Sequence, residues 1–353
     1  MRVLSLFSGI GAFEKALENL GVSYELVNYC EIDKYASRAY SLIHNVPEYK
    51  NLMDVTTVKT NKLKDIDLIT YGFPCQDLSL SGKQKGFEDE NGNATRSGLF
   101  FEALRIIDKT RPKIAIAENV KGLTCQKFDN EFKVVLGSLN RLGYNNYFQV
   151  LNARDYDIPQ NRERVFIVSI RQDIDKGFTF PEKQDLLLTL EDLLEDKVDN
   201  RYYVKKDLFN IDLPYKVNAR QTAIVSNYAK TINRFTSVAC CIAARDWKGF
   251  GSQSMNGVIE AQEDTLRIRR LTPKEYFRLM GFTDRDIDIL IDGGISNTQL
   301  YKMAGNSIVV NVVYHIFKEL KRMYPDLFAI SKKDVNQVSI DDVLDGGAAE
   351  NES

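Results

Sequence analysis

A short apolar run that ends in a turn, followed by an amphipathic stretch, recurs through the first half of this sequence. Few folds accommodate that rhythm. Residues 3–7 run apolar into Ser8-Gly9, which reads as a buried strand entering a turn. Phe13, Ala16, Leu17 and Leu20 follow at helical spacing, and Gly21 stops the helix. The same reasoning predicts strands over 26–30, 67–71 and 114–117 and helices over 34–44, 99–107 and 132–142. Two further strands, 148–151 and 165–170, are expected to pair at one edge. Strands alternating with helices predict an α/β fold, a mostly parallel sheet with helices on both faces.

The rhythm stops near residue 172, and a chain of 353 residues has room for about two domains. Residues 182–212 hold nine acidic and five basic side chains, whereas residues 213–282 hold eleven basic and five acidic. That reversal marks a second unit with a different purpose. Helical spacing returns over 273–281 and 308–320, and 326–353, with seven acidic and two basic residues, reads as a flexible acidic tail. The whole chain carries 47 Lys+Arg against 49 Asp+Glu, a net −2, which excludes a uniformly basic nucleic-acid coat but not a local basic surface. Five irregularly spaced cysteines argue against a disulfide scaffold, no CxxC pair suggests a metal site, and a reducing cytoplasm is the expected setting. No apolar run is long enough for a membrane span.

Candidate chemistry gathers where predicted strands end. Phe7-Ser8-Gly9-Ile10-Gly11 offers a close-approach turn and a helix N-terminus, or simply a tight turn. Glu31 can accept from ribose hydroxyls, and Asp33 reads equally well as a helix N-cap. Cys75, after Pro74 and before a glycine-rich polar loop, is a candidate nucleophile rather than a buried hydrophobe. Glu118 sits at the mouth of a buried strand, where desolvation raises a carboxyl pKa. Arg162 and Arg164, two apart on an extended segment, point the same way and suit an anion or polar oxygens. Thr272-Pro273-Lys274-Glu275 is a capping box that should turn Tyr276, Leu279 and Met280 inward.

Taken in order, the chain reads LSLFSGIGAF, CEID, GFPCQDLSLSGKQKGFED, ENVKGL, QNRERVF, RRLTPKEYFRLMGF and AGNSIVVNVV. This series closely resembles the C5-cytosine DNA methyltransferases. The resemblance implies a Rossmann-like catalytic domain over 1–171 and 267–325 and a smaller target-recognition domain over 172–266. It also implies S-adenosylmethionine as methyl donor, and a cytosine flipped out of double-stranded DNA. Cys75 matches the nucleophile, Glu118 the carboxyl at N3, Arg164 the arginine at the base oxygen, and Arg162 its supporting partner. Phe7, Ser8, Gly9, Ile10 and Gly11, with Glu31, Ile32, Asp54, Pro74, Leu99, Asn306 and Ser307, match the cofactor site. Asn306-Ser307 is expected to open a last helix that packs back on the first domain.

Ser79, Ser81, Lys83, Gln84 and Lys85 suit phosphate contacts, and Arg245, Lys248 and Gln253 suit base reading. The resemblance further implies a monomer, alone or sharing its site with a restriction endonuclease, and no metal. A tRNA cytosine methyltransferase uses the same motifs but commonly adds Cys-Phe-Thr, absent here. A non-catalytic DNA-binding homologue would not need Cys75, Glu118 and Arg164 together. A nicotinamide oxidoreductase would leave PCQ and ENV without a role.

Overall fold

The computed structural model describes residues 1–74, 96–204, 220–226, 231–250, 255–262 and 265–329. Its large part is built on β1 (Arg2–Leu6), β2 (Glu25–Cys30), β3 (Leu68–Tyr71), β4 (Ile114–Val120), β5 (Tyr144–Asn152), β6 (Gln160–Asn161) and β7 (Glu163–Arg171). Six of these form one sheet in the order β2-β1-β3-β4-β7-β5. β1 to β4 pair in parallel and only β7 runs against its neighbours. The edge pairing of the last two strands is therefore as the sequence suggests, although β5 starts four residues earlier than expected. Several of its residues are partly exposed, so the apolar signal that marks a buried strand is diluted there.

The two-residue period of the strands divides the core. Val3, Leu68, Ile114, Ile116, Phe166 and Val168 face one layer, and Leu4, Leu6, Ile69, Tyr71, Ala115, Ala117 and Ile167 face the other. The first layer receives α1 (Ala12–Asn19) and α2 (Lys34–His44), and the second α3 (Phe100–Thr110) and α4 (Asp129–Arg141). Asp33 does cap α2, accepting from the backbone nitrogens of Tyr35 and Ala36 at 2.8 and 3.2 Å.

A four-stranded antiparallel sheet, β12-β11-β8-β9, occupies the later part: β8 (Arg220–Ser226), β9 (Thr231–Phe235), β11 (Met255–Gln262) and β12 (Thr265–Arg270). A boundary at 266/267 thus falls inside β12. Between β9 and β11, β10 (Ala239–Cys240) pairs in parallel with β6 and ties this part to the rim of the large sheet. Among the described residues five helices follow: α5 (Pro273–Arg278), α6 (Asp284–Asp292), α7 (Asn297–Asn306), α8 (Val310–Met323) and α9 (Pro325–Phe328). The capping box at Thr272 and Glu275 forms as read, with Tyr276, Leu279 and Met280 buried. α8 returns to the first layer, where Phe317 meets Phe13 of α1 edge to face at 6.3 Å. Phe328 is buried against the same layer, so the packed chain extends past 326.

The placing of Asn306 needs correction. Asn306 closes α7 instead of opening the last helix; Ser307 caps that end, and α8 begins only at Val310. The basic excess of 213–282 does not all face outward. Arg269 is fully buried against Glu260 and Glu275, Arg220 also meets Glu260 at 3.3 Å, and Arg278 meets Asp284 at 2.7 Å. A charge count along the chain carries no information about direction. Among the described residues no helix is long and apolar enough to cross a membrane.

Candidate active site

The sheet order places β1 between β2 and β3, so the succession of strands reverses there and leaves a crevice beyond the carboxyl ends of the strands. A cavity of about 370 Å³ lies there, the size of a small-molecule site. Its walls are the strand exits: Phe7 and Gly9 after β1, Cys30, Glu31 and Ile32 at β2, Gly72, Phe73 and Pro74 after β3, and Glu118 at the end of β4. Asp54, Leu99, Arg162, Arg164 and Asn306 complete the set of expected residues that the cavity brings together.

The antiparallel course of β7 explains how Arg164 reaches Glu118. Val120 pairs with Arg164 and Glu118 with Phe166, so Glu118 and Arg164 are diagonal neighbours on one face. Arg164 Nε lies 3.1 Å from Glu118 Oε1, with both side chains largely buried. Burial raises the Glu118 pKa above the ordinary carboxyl value, opposed by the charges of Arg164 and Arg162. Gly72 lies alongside this pair, where a Cβ would make only ordinary contact with Glu118 Oε2 at 3.6 Å.

Arg162 has a different task from Arg164. It donates to the carbonyl oxygens of Ile242, Gly305 and Ser307 at 3.0, 3.0 and 2.7 Å, and lies 3.4 Å from Cys241 Sγ. Burial lowers its pKa to about 10. It is a strut between the rim of the sheet, the 241–244 segment and the end of α7. Gln160 acts beside it, donating to the Leu279 carbonyl at 2.8 Å and accepting from the Ile242 nitrogen at 3.2 Å. Gly305 allows this closeness, because a Cβ there would collide with the Ala243–Ala244 backbone. Gly305→Ala is therefore expected to destabilise the protein by about 1–3 kcal/mol, measured as a lower urea midpoint. An unchanged midpoint would show that the 243–244 backbone yields freely.

On the other wall, Glu31 accepts from the Gly9 and Asp33 nitrogens at 2.9 and 2.8 Å. Burial raises its pKa, opposed by these bonds. Phe7 and Gly9 line the cavity; Ser8, Ile10 and Gly11 shape the turn behind it, where the Gly11 nitrogen donates to the Ser8 carbonyl at 2.9 Å. Phe7 holds a φ of 52° and Gly11 one of 80°. Asp54 accepts from Thr56 through Oδ1, and Ile32 is strongly exposed at the rim. Ser307 is not on the wall and contributes its carbonyl to Arg162.

Sequence reasoning missed two residues here. Asn51 bonds the Glu31 nitrogen and carbonyl at 3.0 and 2.9 Å and the Met53 nitrogen at 2.8 Å, clamping both rims together. A lone asparagine in a polar stretch carries no signal for that. Asn119 donates to the Phe73 carbonyl at 3.1 Å and so fixes the backbone that leads to Pro74. It stands inside the ENV motif, which was signal enough.

The chain matches the family described as C-5 cytosine-specific DNA methylase over residues 1–322. It belongs to that family. The proteins it resembles include an orphan methyltransferase of Bacillus phage SPR, M.SPRI. The two are 33% identical across 92% of this chain and 98% of the relative. The type II methyltransferase M.HhaI of Haemophilus parahaemolyticus is 34% identical across 90% and 93%. In fold, the crystal structure of S. pombe Dnmt2 methyltransferase superposes with a TM-score of 0.67 at 22% identity, covering 93% of this chain and 99% of that one. That likeness is one of architecture.

Cys75 and the loop residues Ser79, Ser81, Lys83, Gln84 and Lys85 lie outside the described residues, as does Gln253. Arg245 and Lys248 are exposed on the turn that follows the 243–244 contact with Gly305. Asp246 holds this turn through the Ala243 nitrogen and the Tyr276 hydroxyl, both at 2.8 Å. Among the described residues no group of His, Cys, Asp and Glu could hold a metal ion.

Proposed function

We propose that this chain is an S-adenosylmethionine-dependent DNA (cytosine-5-)-methyltransferase that acts on a cytosine flipped from duplex DNA. The observation that carries the reading is the buried Glu118–Arg164 pair, set in the same cavity as Glu31 and the Phe7–Gly9 turn. The donor set fits the cofactor: Glu31 suits ribose hydroxyls, Asp54 an amino group, and Phe7, Ile32 and Leu99 offer apolar surface to an adenine. When bound, S-adenosylmethionine supplies the methyl group.

The chain's own residues do the rest. Cytosine C5 is a weak nucleophile. The Cys75 thiolate adds to C6, forming a carbon–sulfur bond, and C5 gains enamine character. Glu118 lends its proton to N3 and regains it later, so that negative charge does not build up on the ring; its burial raises its pKa and favours the protonated form. Arg164 holds the base oxygen, and Arg162 supports that wall by bracing the Gly305 and Ser307 carbonyls beside it. Once the methyl group is on C5, the C5 proton leaves to water and the Cys75–C6 bond breaks. Closure of the loop that carries Ser79 to Lys85 supplies phosphate contacts that offset the cost of unstacking the base. Arg245, Lys248 and Gln253 lie near the bases they read.

In this reading 172–266 is the recognition part, and the enzyme works as a monomer in a reducing cytoplasm. It forms no stable complex with an endonuclease that shares its site. Expression in a host free of cytosine methylation, followed by bisulfite sequencing of its DNA, tests the function. The expected result is protected cytosines at one short recurring site. No protection in DNA, with methylation appearing instead in a parallel tRNA assay, would overturn the choice of substrate.

A further inference from the structure

The turn that leads from β1 into α1 is held from behind by one side chain. His44 ends α2 with its side chain only 1% exposed, so its polar atoms need partners within the protein. Nδ1 lies 2.7 Å from Glu18 Oε1 on α1, and Nε2 lies 3.1 Å from the Ile10 carbonyl oxygen. Two acceptors require two donors, and an imidazole offers two N–H groups only when protonated. The ring fills the space against the turn, for a Cβ at Gly11 would collide with it.

The groups that face the ring come from every element around it. Glu14 and Glu18 approach from α1, and Tyr40 from its own helix, ring centroids 4.8 Å apart. Farther out, the Tyr24 hydroxyl reaches Glu18 at 3.4 Å, and Lys15 reaches Glu18 at 3.9 Å and Asp286 of α6 at 2.7 Å. Burial disfavours charge on the ring. The Glu18 bond, the charges of Glu14 and Glu18, and the Ile10 carbonyl outweigh it and lift the His44 pKa above the ordinary imidazole value. Burial likewise pushes the Glu14 carboxyl up, opposed by the charge of His44; Ser5 and Tyr40 lie beside it.

We propose that His44 is a positioning residue for the cofactor turn: its protonated ring, clasped by Glu18, fixes the Ile10 carbonyl and with it the run from Phe7 to Gly11. This rests on the reading of that turn as the cofactor's seat. While the proton is present, both bonds hold. As pH rises through the folded pKa, one nitrogen becomes a lone pair that faces either the Glu18 carboxylate or the Ile10 carbonyl, and that contact turns repulsive. Cofactor affinity is therefore full below this pKa and falls above it, by about tenfold for the loss of one charged hydrogen bond.

The test is calorimetric titration of S-adenosylhomocysteine into the full-length protein between about pH 6 and about pH 9, the range around an imidazole transition. It is paired with an NMR titration of the histidine rings. The chain has two histidines, and burial lowers the pKa of the other, His315. The ring signal missing in His44→Asn is expected to titrate above the ordinary value, with affinity falling at the same midpoint. Glu18→Gln keeps an acceptor oxygen but removes the charge, and should move both midpoints to lower pH. A merely structural role would lower affinity equally at every pH. The proposal is overturned if the His44 ring titrates at or below the ordinary value, or if affinity stays flat with pH while S-adenosylhomocysteine still binds. Failure to bind at every pH would overturn the cofactor reading, and with it the ring's assignment to a cofactor turn. The NMR titration tells the two failures apart, since a high ring pKa would then persist without any binding.

Discussion

Replacing Cys75 with serine is expected to lower methyl transfer by a factor on the order of 10⁴ or more, with duplex binding retained. Attack at C6 needs a good nucleophile at neutral pH. A cysteine near its ordinary pKa has a few per cent of thiolate, whereas a serine hydroxyl has effectively no alkoxide. The change removes the only atom proposed to bond the base. It leaves the Glu118–Arg164 pair proposed to hold the base, the Glu31 wall of the cavity and the exposed Arg245 and Lys248 untouched. Transfer of labelled methyl groups measures the loss, and a gel-shift assay measures the binding that remains. Duplex carrying 5-fluorocytosine should trap the native enzyme covalently, because the fluorine cannot leave as a proton does, and should not trap Cys75→Ser. A variant that still methylates DNA at a comparable rate would end the assignment of Cys75 as nucleophile. Native enzyme that fails to be trapped would count against covalent catalysis itself.

The parts of this site that were legible in the sequence are those fixed by a strand's end. β1, β3 and β4 are largely buried on both faces and β2 partly so, so their apolar runs stand out, and whatever follows them must lie at the rim of the sheet. Glu31, Pro74 and Glu118 were found in that way. The parts that were not legible depend on convergence in space. That Arg162 is a strut and Arg164 faces the cavity follows from which carbonyls surround each, and those carbonyls belong to residues 242, 305 and 307. Asn51 matters only because β2 and the Met53 turn meet there. α6 and α7 were missed because α6 buries little beyond Ile287 and Leu290, and α7 opens on polar residues. The small sheet was missed as well: Ala223, Val225, Ile259 and Ile268 form its modest core, too few to stand out in sequence. Asn306 was placed at the wrong end of a helix because a glycine, an asparagine and a serine in a row suit a helix end as well as a start.

Glu275→Ala should be the most destabilising of the surface-remote substitutions, costing about 3–5 kcal/mol. Arg269 on β12 and Glu275 on α5 are both fully buried, and two parallel bonds of 2.9 Å join them. Arg269 Nε also meets Glu260 at 3.1 Å. Glu275 does more than neutralise the arginine. Its Oε2 accepts from the Thr272 nitrogen at 2.7 Å to close the capping box, and its Oε1 accepts from the Glu195 nitrogen at 2.9 Å. Alanine therefore strands two backbone donors and leaves Glu260 as the arginine's remaining acidic partner. The urea midpoint reports the loss directly. Removing both charges in Arg269→Met/Glu275→Leu should recover part of it, because no charge is then buried unpaired, but not all, because the two backbone donors stay orphaned. Full recovery would mean that the capping bonds contribute nothing. A cost below about 1 kcal/mol for Glu275→Ala would mean that the arginine reaches water or another acid, which its full burial argues against. The joint matters beyond stability. It fixes the last strand of the small sheet to the helix whose Tyr276 holds Asp246, and hence to the turn that displays Arg245 and Lys248 beside the cavity. A loosened joint should therefore relax the choice of DNA site before it slows methyl transfer.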